Sequence, residues 1–104
     1  MKHIYGIILL LFLVSTSSVA MTIPADSVDL MKAQADSAYA NEDFEGAERI
    51  YLQLAEQGES AVVCYNLGCT YYRQDNIAKA VLWFERASQL DPSDDDIRFN
   101  LAMA

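Results

Sequence analysis

Histidine is almost missing from this chain: the single one, His3, stands three residues from the start. Its absence beyond that point excludes Ser-His-Asp and Cys-His nucleophilic catalysis and most zinc sites. Glycine is scarce as well. After residue 20 only Gly46, Gly58 and Gly68 occur, too far apart to cradle a phosphate. Lysine and arginine total seven against 15 aspartates and glutamates, and nowhere do they cluster. Such an acidic chain makes a poor partner for nucleic acid or an anionic lipid surface. There are only two cysteines, Cys64 and Cys69, and they are five apart in a stretch that reads as helix. Five residues of helix place their Cα atoms roughly 8 Å apart on different faces. A disulfide does not bridge that distance, so both are expected as small, half-buried thiols. No cofactor, metal or small-molecule substrate is implied, and the chain is not expected to be an enzyme. The run Asp94-Asp95-Asp96 lacks the glycine and distal glutamate of a calcium loop; it reads instead as a helix N-terminus, where carboxylates meet exposed N–H groups.

The first 20 residues have the organisation of an export signal. A short basic start, Met1-Lys2-His3, is followed by an apolar run from Ile4 to Val14 and then by STSSVA. The run is too short for a comfortable membrane span, and Ser18 and Ala20 fit the small positions of a signal-peptidase site before Met21. The alternative is an uncleaved N-terminal anchor. No cysteine follows the run, so lipid attachment is not supported. Cleavage would remove Lys2 alone among the charged residues, leaving six basic against 15 acidic residues and a formal charge of −9. The expected location is the periplasm or the envelope membrane surface.

What remains repeats itself. Phe44 returns as Ile77, Ala47 as Ala80 and Tyr51 as Phe84, each 33 residues on, and Asn66-Leu67 returns as Asn100-Leu101 after 34. A period of that length with helical patterning means stacked helical hairpins. The helices are expected at 27–41 with Asp26 as N-cap, at 44–57 ending before Gly58 as C′ residue, and at 60–74. A fourth, at 77–90, is capped by Asn76 and stopped at Asp91-Pro92; a fifth runs from about 94 behind Ser93. The organisation is therefore a signal helix at 1–20, a linker at 21–26 and an all-α solenoid at 27–104.

The middle hairpin reads Cys64-x2-Leu67-Gly68-x2-Tyr71, then Ala80-x3-Phe84, Ala87 and Pro92. This is similar to the tetratricopeptide (TPR) pattern, with Cys64 where tryptophan is common. In that pattern Gly68 and Ala80 are small because the paired helices approach closely. Leu67, Tyr71 and Phe84 fill the surrounding space, and Ala87 admits the next repeat. The first hairpin, 28–60, is weaker: Ala35 replaces the glycine, Ala38 the tyrosine and Leu54 the late alanine. With a partial third unit from Asp95, the resemblance implies about two and a half repeats. Two segments, YYRQDNIAKAVLWFERA and LDPSDDDIRFNL, further resemble the BatE family of TPR proteins from bacterial aerotolerance operons. That resemblance implies an exported or envelope-associated adaptor. Members of that family typically continue past this point, so the chain is either a fragment or a short member.

Stacked TPR hairpins form a concave groove lined by the first helix of each repeat, and the helical period puts Asp29, Lys32, Asp36 and Tyr39 on that face. Val62, Tyr65, Cys69 and Tyr72 follow, then Asp96, Phe99 and Met103. The expected protein-binding residues are Lys32, Asp36, Tyr39, Tyr65, Cys69, Tyr72, Arg73 and Phe99, with Tyr65 and Tyr72 dispensable for the fold. The competing reading is that these aromatics only cover neighbouring helices. Lys32 and Asn66 match positions that hold a C-terminal carboxylate in some TPR domains, but Asp36 and Asp96 would repel one. Two further alternatives are a thiol sensor using Cys69, which would need nearby positive charge, and a purely structural oligomerisation spacer.

Overall fold

The computed structural model describes residues 25–104. The expected signal, its cleavage site and linker residues 21–24 lie outside the described residues. Five helices follow in order: α1 (Ala25–Ala40), α2 (Phe44–Gln57), α3 (Ala61–Arg73), α4 (Ile77–Leu90) and α5 (Asp95–Met103). Among the described residues there is no strand, and no helix is long and apolar enough to cross a membrane. Each helix packs chiefly on its neighbours in sequence, α1 on α2, α2 on α3, α3 on α4 and α4 on α5. A chain of successive hairpins produces this pattern of packing between sequence neighbours.

The two hairpin turns are built alike, 33 residues apart. Glu42 and Asp75 both adopt left-handed geometry, with φ of 62° and 60°. Just after them, the N–H groups of Asp43 and Asn76 reach back to the Ala38 and Tyr71 carbonyls, at 2.8 and 2.9 Å. This is the six-to-one bond of a Schellman ending. The same two residues then begin the next helix. Asp43 Oδ1 accepts from the Gly46 N–H at 3.0 Å, and Asn76 Oδ1 accepts from the Lys79 N–H at 3.3 Å. One residue thus ends a helix with its backbone and starts the next with its side chain, which holds the turn to a few residues. Ser60 caps α3 by accepting from the Val63 N–H.

Three local expectations need correction. Asp26 is not the cap of α1; the helix starts at Ala25 and Asp26 lies in its first turn, where a carboxylate still favours the helix dipole. Ser93 does not cap α5. Asp94 Oδ1 accepts from the N–H groups of Asp96 and Ile97, at 2.9 and 3.2 Å, while the Ser93 hydroxyl donates to Asp91. Gly58 is not a left-handed C′ residue, because its φ of 163° is extended backbone.

The core runs along the stack. Ala35, Ala47, Tyr51 and Leu54 fill the first hairpin; Cys64, Leu67, Tyr71, Ala80, Phe84 and Ala87 fill the second; Ile97 anchors α5. The six TPR-like positions Leu67, Gly68, Tyr71, Ala80, Phe84 and Ala87 are all buried, and Pro92 lies exposed in the turn after α4. Tyr71 sits beside Glu48 of α2, and the Lys79 ammonium lies 5.3 Å above its ring, so it joins the two hairpins as well as filling one. No buried side-chain oxygen or nitrogen lacks a partner among the described residues. Buried Thr70 shows how: its hydroxyl donates to the Asn66 carbonyl at 2.6 Å.

Gly68 is the tightest point. A Cβ there would stand 2.4 Å from Cδ1 of Phe84. That ring is 2 % exposed, with Tyr65 packed on it at 5.8 Å between centroids, so moving it disturbs a packed neighbour. Alanine normally favours a helix over glycine by about 1 kcal/mol; overpacking a fixed core costs roughly 1–3 kcal/mol. Gly68→Ala is therefore expected to lower stability despite its better helix propensity, and Gly68→Leu to lower it further. Denaturant melts showing Gly68→Ala at least as stable as the parent would mean that the Phe84 ring is not held there.

Candidate protein-binding groove

Three cavities line up along α3 and share side chains. The largest, about 470 Å³, is bounded by Lys32, Asp36, Tyr39, Val62, Tyr65 and Cys69 together with Tyr51 and Asn66. Tyr39 and Cys69 also wall the second, about 210 Å³, which is completed by Tyr72, Arg73, Phe84, Phe99, Asn100 and Met103. Val62 and Tyr65 also wall the third, about 120 Å³, which carries Asp91, Asp94 and Asp96. Together they make one open groove with α3 as its floor, α1 on one side and α5 on the other. All eight expected binding residues border it; Asp29 is exposed but borders none of these cavities.

Their surroundings divide them into two kinds. Tyr72, Phe99 and Met103 converge on one cavity with 42 %, 65 % and 62 % of their surfaces exposed. The others are partly committed to the fold. The Tyr39 ring meets Phe44 edge-on at 5.3 Å. Arg73 lies 4.8 Å above that same Phe44 ring and pairs with Glu42 at 3.4 Å. Asp36 accepts a hydrogen bond from the Tyr51 hydroxyl. Tyr65 packs on Phe84, and its hydroxyl accepts from Asn100 Nδ2 of α5 at 2.9 Å. The expectation that Tyr65 is dispensable for the fold is therefore corrected: its ring covers the core, and its oxygen tethers α5.

With this geometry in view, comparison with known proteins is informative. Residues 61–94 match the family described as "Tetratricopeptide repeat". The chain carries a tetratricopeptide repeat. It is also 32 % identical over 75 residues to the Intraflagellar transport protein 70A of Xenopus laevis. That alignment takes in 71 % of this chain but only 11 % of the relative, so the chain spans about a tenth of the length of the protein it resembles. The matched repeat is α3 and α4 with their connecting turn, so α3, its first helix, is the groove floor.

The repeat's two cysteines are not activated. Both thiols are free; Cys64 is fully buried, and Cys69 is half-buried in the groove floor. Burial pushes both thiols up from their ordinary range, Glu59 adding to the effect at Cys64 and the Tyr65 hydroxyl opposing it at Cys69. A raised pKa leaves little thiolate at neutral pH, which disfavours a fast redox sensor. The acidic run also has structural duties: Asp94 caps α5 and Asp95 pairs with Arg98.

Sequence reasoning missed Phe44 as the platform beneath Tyr39 and Arg73, and Asn100 as the partner of Tyr65. The return of Asn66 as Asn100 at the repeat period was a usable signal for the second. Burial, followed by the nearby Cys69, raises the Tyr65 hydroxyl from 10.0 to about 12. Folding thus favours the protonated tyrosine, so its contribution is complete below about pH 10 and disappears as pH rises through about 12. Tyr65→Phe is expected to keep the ring contact and lose the tether, at about 0.5–1.5 kcal/mol, and to flatten the loss of stability between those pH values. Tyr65→Ala should cost more, up to roughly 3 kcal/mol for a part-buried ring. Thermal melts across that range check this; a Tyr65→Phe variant matching the parent at every pH would remove the tether.

Proposed function

We propose that this chain is an exported protein-interaction module, an adaptor rather than an enzyme, which holds a segment of a partner protein in the groove along α3. One observation carries the reading: Tyr72, Phe99 and Met103 leave large apolar surfaces exposed side by side around one cavity, whereas exposed Leu30, Ile77, Leu82 and Leu90 border none of the groove's cavities. Isolated exposed apolar residues are ordinary; a convergent set at a concavity marks a binding surface. Tyrosine also suits recognition, offering a broad ring and a polar tip with few rotamers to freeze. The basic and apolar N-terminal run supports export, and the two segments that resemble the BatE family support an envelope complex concerned with aerotolerance. The partner is then an envelope or membrane protein.

The test is the double variant Tyr72→Ala/Phe99→Ala. Both side chains are exposed, so stability should change by about 0.5 kcal/mol or less for each. Loss of two binding anchors should weaken partner capture from envelope extract by tenfold or more. Full capture by the folded double variant would instead favour a structural spacer. Export is checked separately, by sequencing the N-terminus of the protein made in its own cell: Met21 is expected, and a cytoplasmic protein retaining Met1 would end the envelope reading.

A further inference from the structure

The groove has an electrical direction as well as an apolar floor, and that direction selects its occupant. At the α3 N-terminal end it is walled by Asp91, Asp94 and Asp96 around exposed Val62. None of the ion pairs among the described residues involves these three carboxylates. Asp91 and Asp94 each use one oxygen, on the Ser93 hydroxyl and the first N–H groups of α5. At the other end Arg73 is already paired with Glu42 and seated on Phe44, and the groove's other cation, Lys32, shares its cavity with the Asp36 carboxylate. The whole chain adds to the bias with a formal charge of −8.

An acidic segment would be repelled along most of this path. A purely apolar one would press its surface against unpaired carboxylates and desolvate them without compensation. A simple cation would leave Val62, Tyr72, Phe99 and Met103 wet. Resting on the groove reading above, we infer that the occupant is a peptide segment with lysine or arginine at one end and a bulky apolar side chain at the other. The basic residue lies among Asp91, Asp94 and Asp96, and the apolar one enters the cavity of Tyr72, Phe99 and Met103. Val62 and Tyr72 are ten helical residues apart, roughly 15 Å. An extended chain covers about 3.3 Å per residue, so about four or five residues separate the two anchors.

The experiment pans a random twelve-residue peptide library against the full chain, then measures selected peptides by fluorescence anisotropy on the parent, Asp91→Asn, Asp96→Asn and Tyr72→Ala/Phe99→Ala. Selected peptides should share a basic and an apolar residue at that spacing. Each Asp→Asn change should weaken binding about twofold to fivefold, the range for exposed ion pairs, and the effect should shrink as salt rises. The double variant should lose tenfold or more. Acidic or uncharged peptides that still require Tyr72 and Phe99 would overturn the charge inference and leave the groove standing. Peptides indifferent to the double variant, or no enrichment at all, would overturn both.

Discussion

The structure turns on the contact between Gly68 and the ring of Phe84. A missing Cβ on α3 lets an aromatic ring on α4 lie against the helix itself, at a distance no other residue would permit. The α5 side of the groove is stacked on that contact. Tyr65 rests on Phe84, Asn100 holds the Tyr65 hydroxyl, and Asn100 belongs to α5, which forms a wall of the groove. Each link is modest: about 0.5–1.5 kcal/mol for an aromatic pair beyond its buried area, and a similar amount for a hydrogen bond. In series they fix where the groove floor and wall sit relative to the core, and a pre-set groove spares a ligand the cost of ordering it.

The stacked-hairpin fold was legible because its demands are written in residue size. Gly68, Ala80 and Ala87 must be small and Leu67, Tyr71 and Phe84 large, at fixed spacing, and the first hairpin keeps part of that pattern in Ala35, Ala47 and Tyr51. The helix ends were legible to within a residue or two. They failed where two capping residues stand together, as at Ser93 and Asp94, since both types cap well and only the path of the backbone decides. Periodicity also placed the groove-bordering face. It could not say which of those side chains are already taken, because the partners come from distant points in the chain. Tyr51 reaches Asp36 over 15 residues, Arg73 meets Glu42 over 31, and Asn100 meets Tyr65 over 35. The division between anchor and packing residue, Tyr72 against Tyr65, exists only after folding.

Charge contributes little to holding the stack together. Its ion pairs among the described residues, Arg73–Glu42, Arg86–Glu59 and Arg98–Asp95, are exposed and worth at most about 1 kcal/mol each. The surplus of acidic groups opposes compaction through self-repulsion. The arginines do more through contact than through charge, since Arg73 and Arg86 lie over Phe44 and Trp83 at 4.8 and 4.5 Å and shield those rings from water.

These terms place the weakest joint at α5. A nine-residue helix is too short to persist alone in water. It holds through the Asp94 cap, buried Ile97, part-buried Leu101 and the Asn100 tether. The same helix presents Phe99 and Met103 to the groove. An occupant that covers those two side chains therefore stabilises the element that forms its own binding wall, so binding and the docking of α5 are linked in both directions. Substitutions that loosen α5 without touching the groove surface should be felt in affinity, because a wall that is docked only part of the time reduces apparent affinity by the undocked fraction. Asn100 is where that linkage is most direct: its amide contacts Tyr65 rather than exposed solvent alone, and it is the one hydrogen bond seen between the groove's floor and that wall among the described residues.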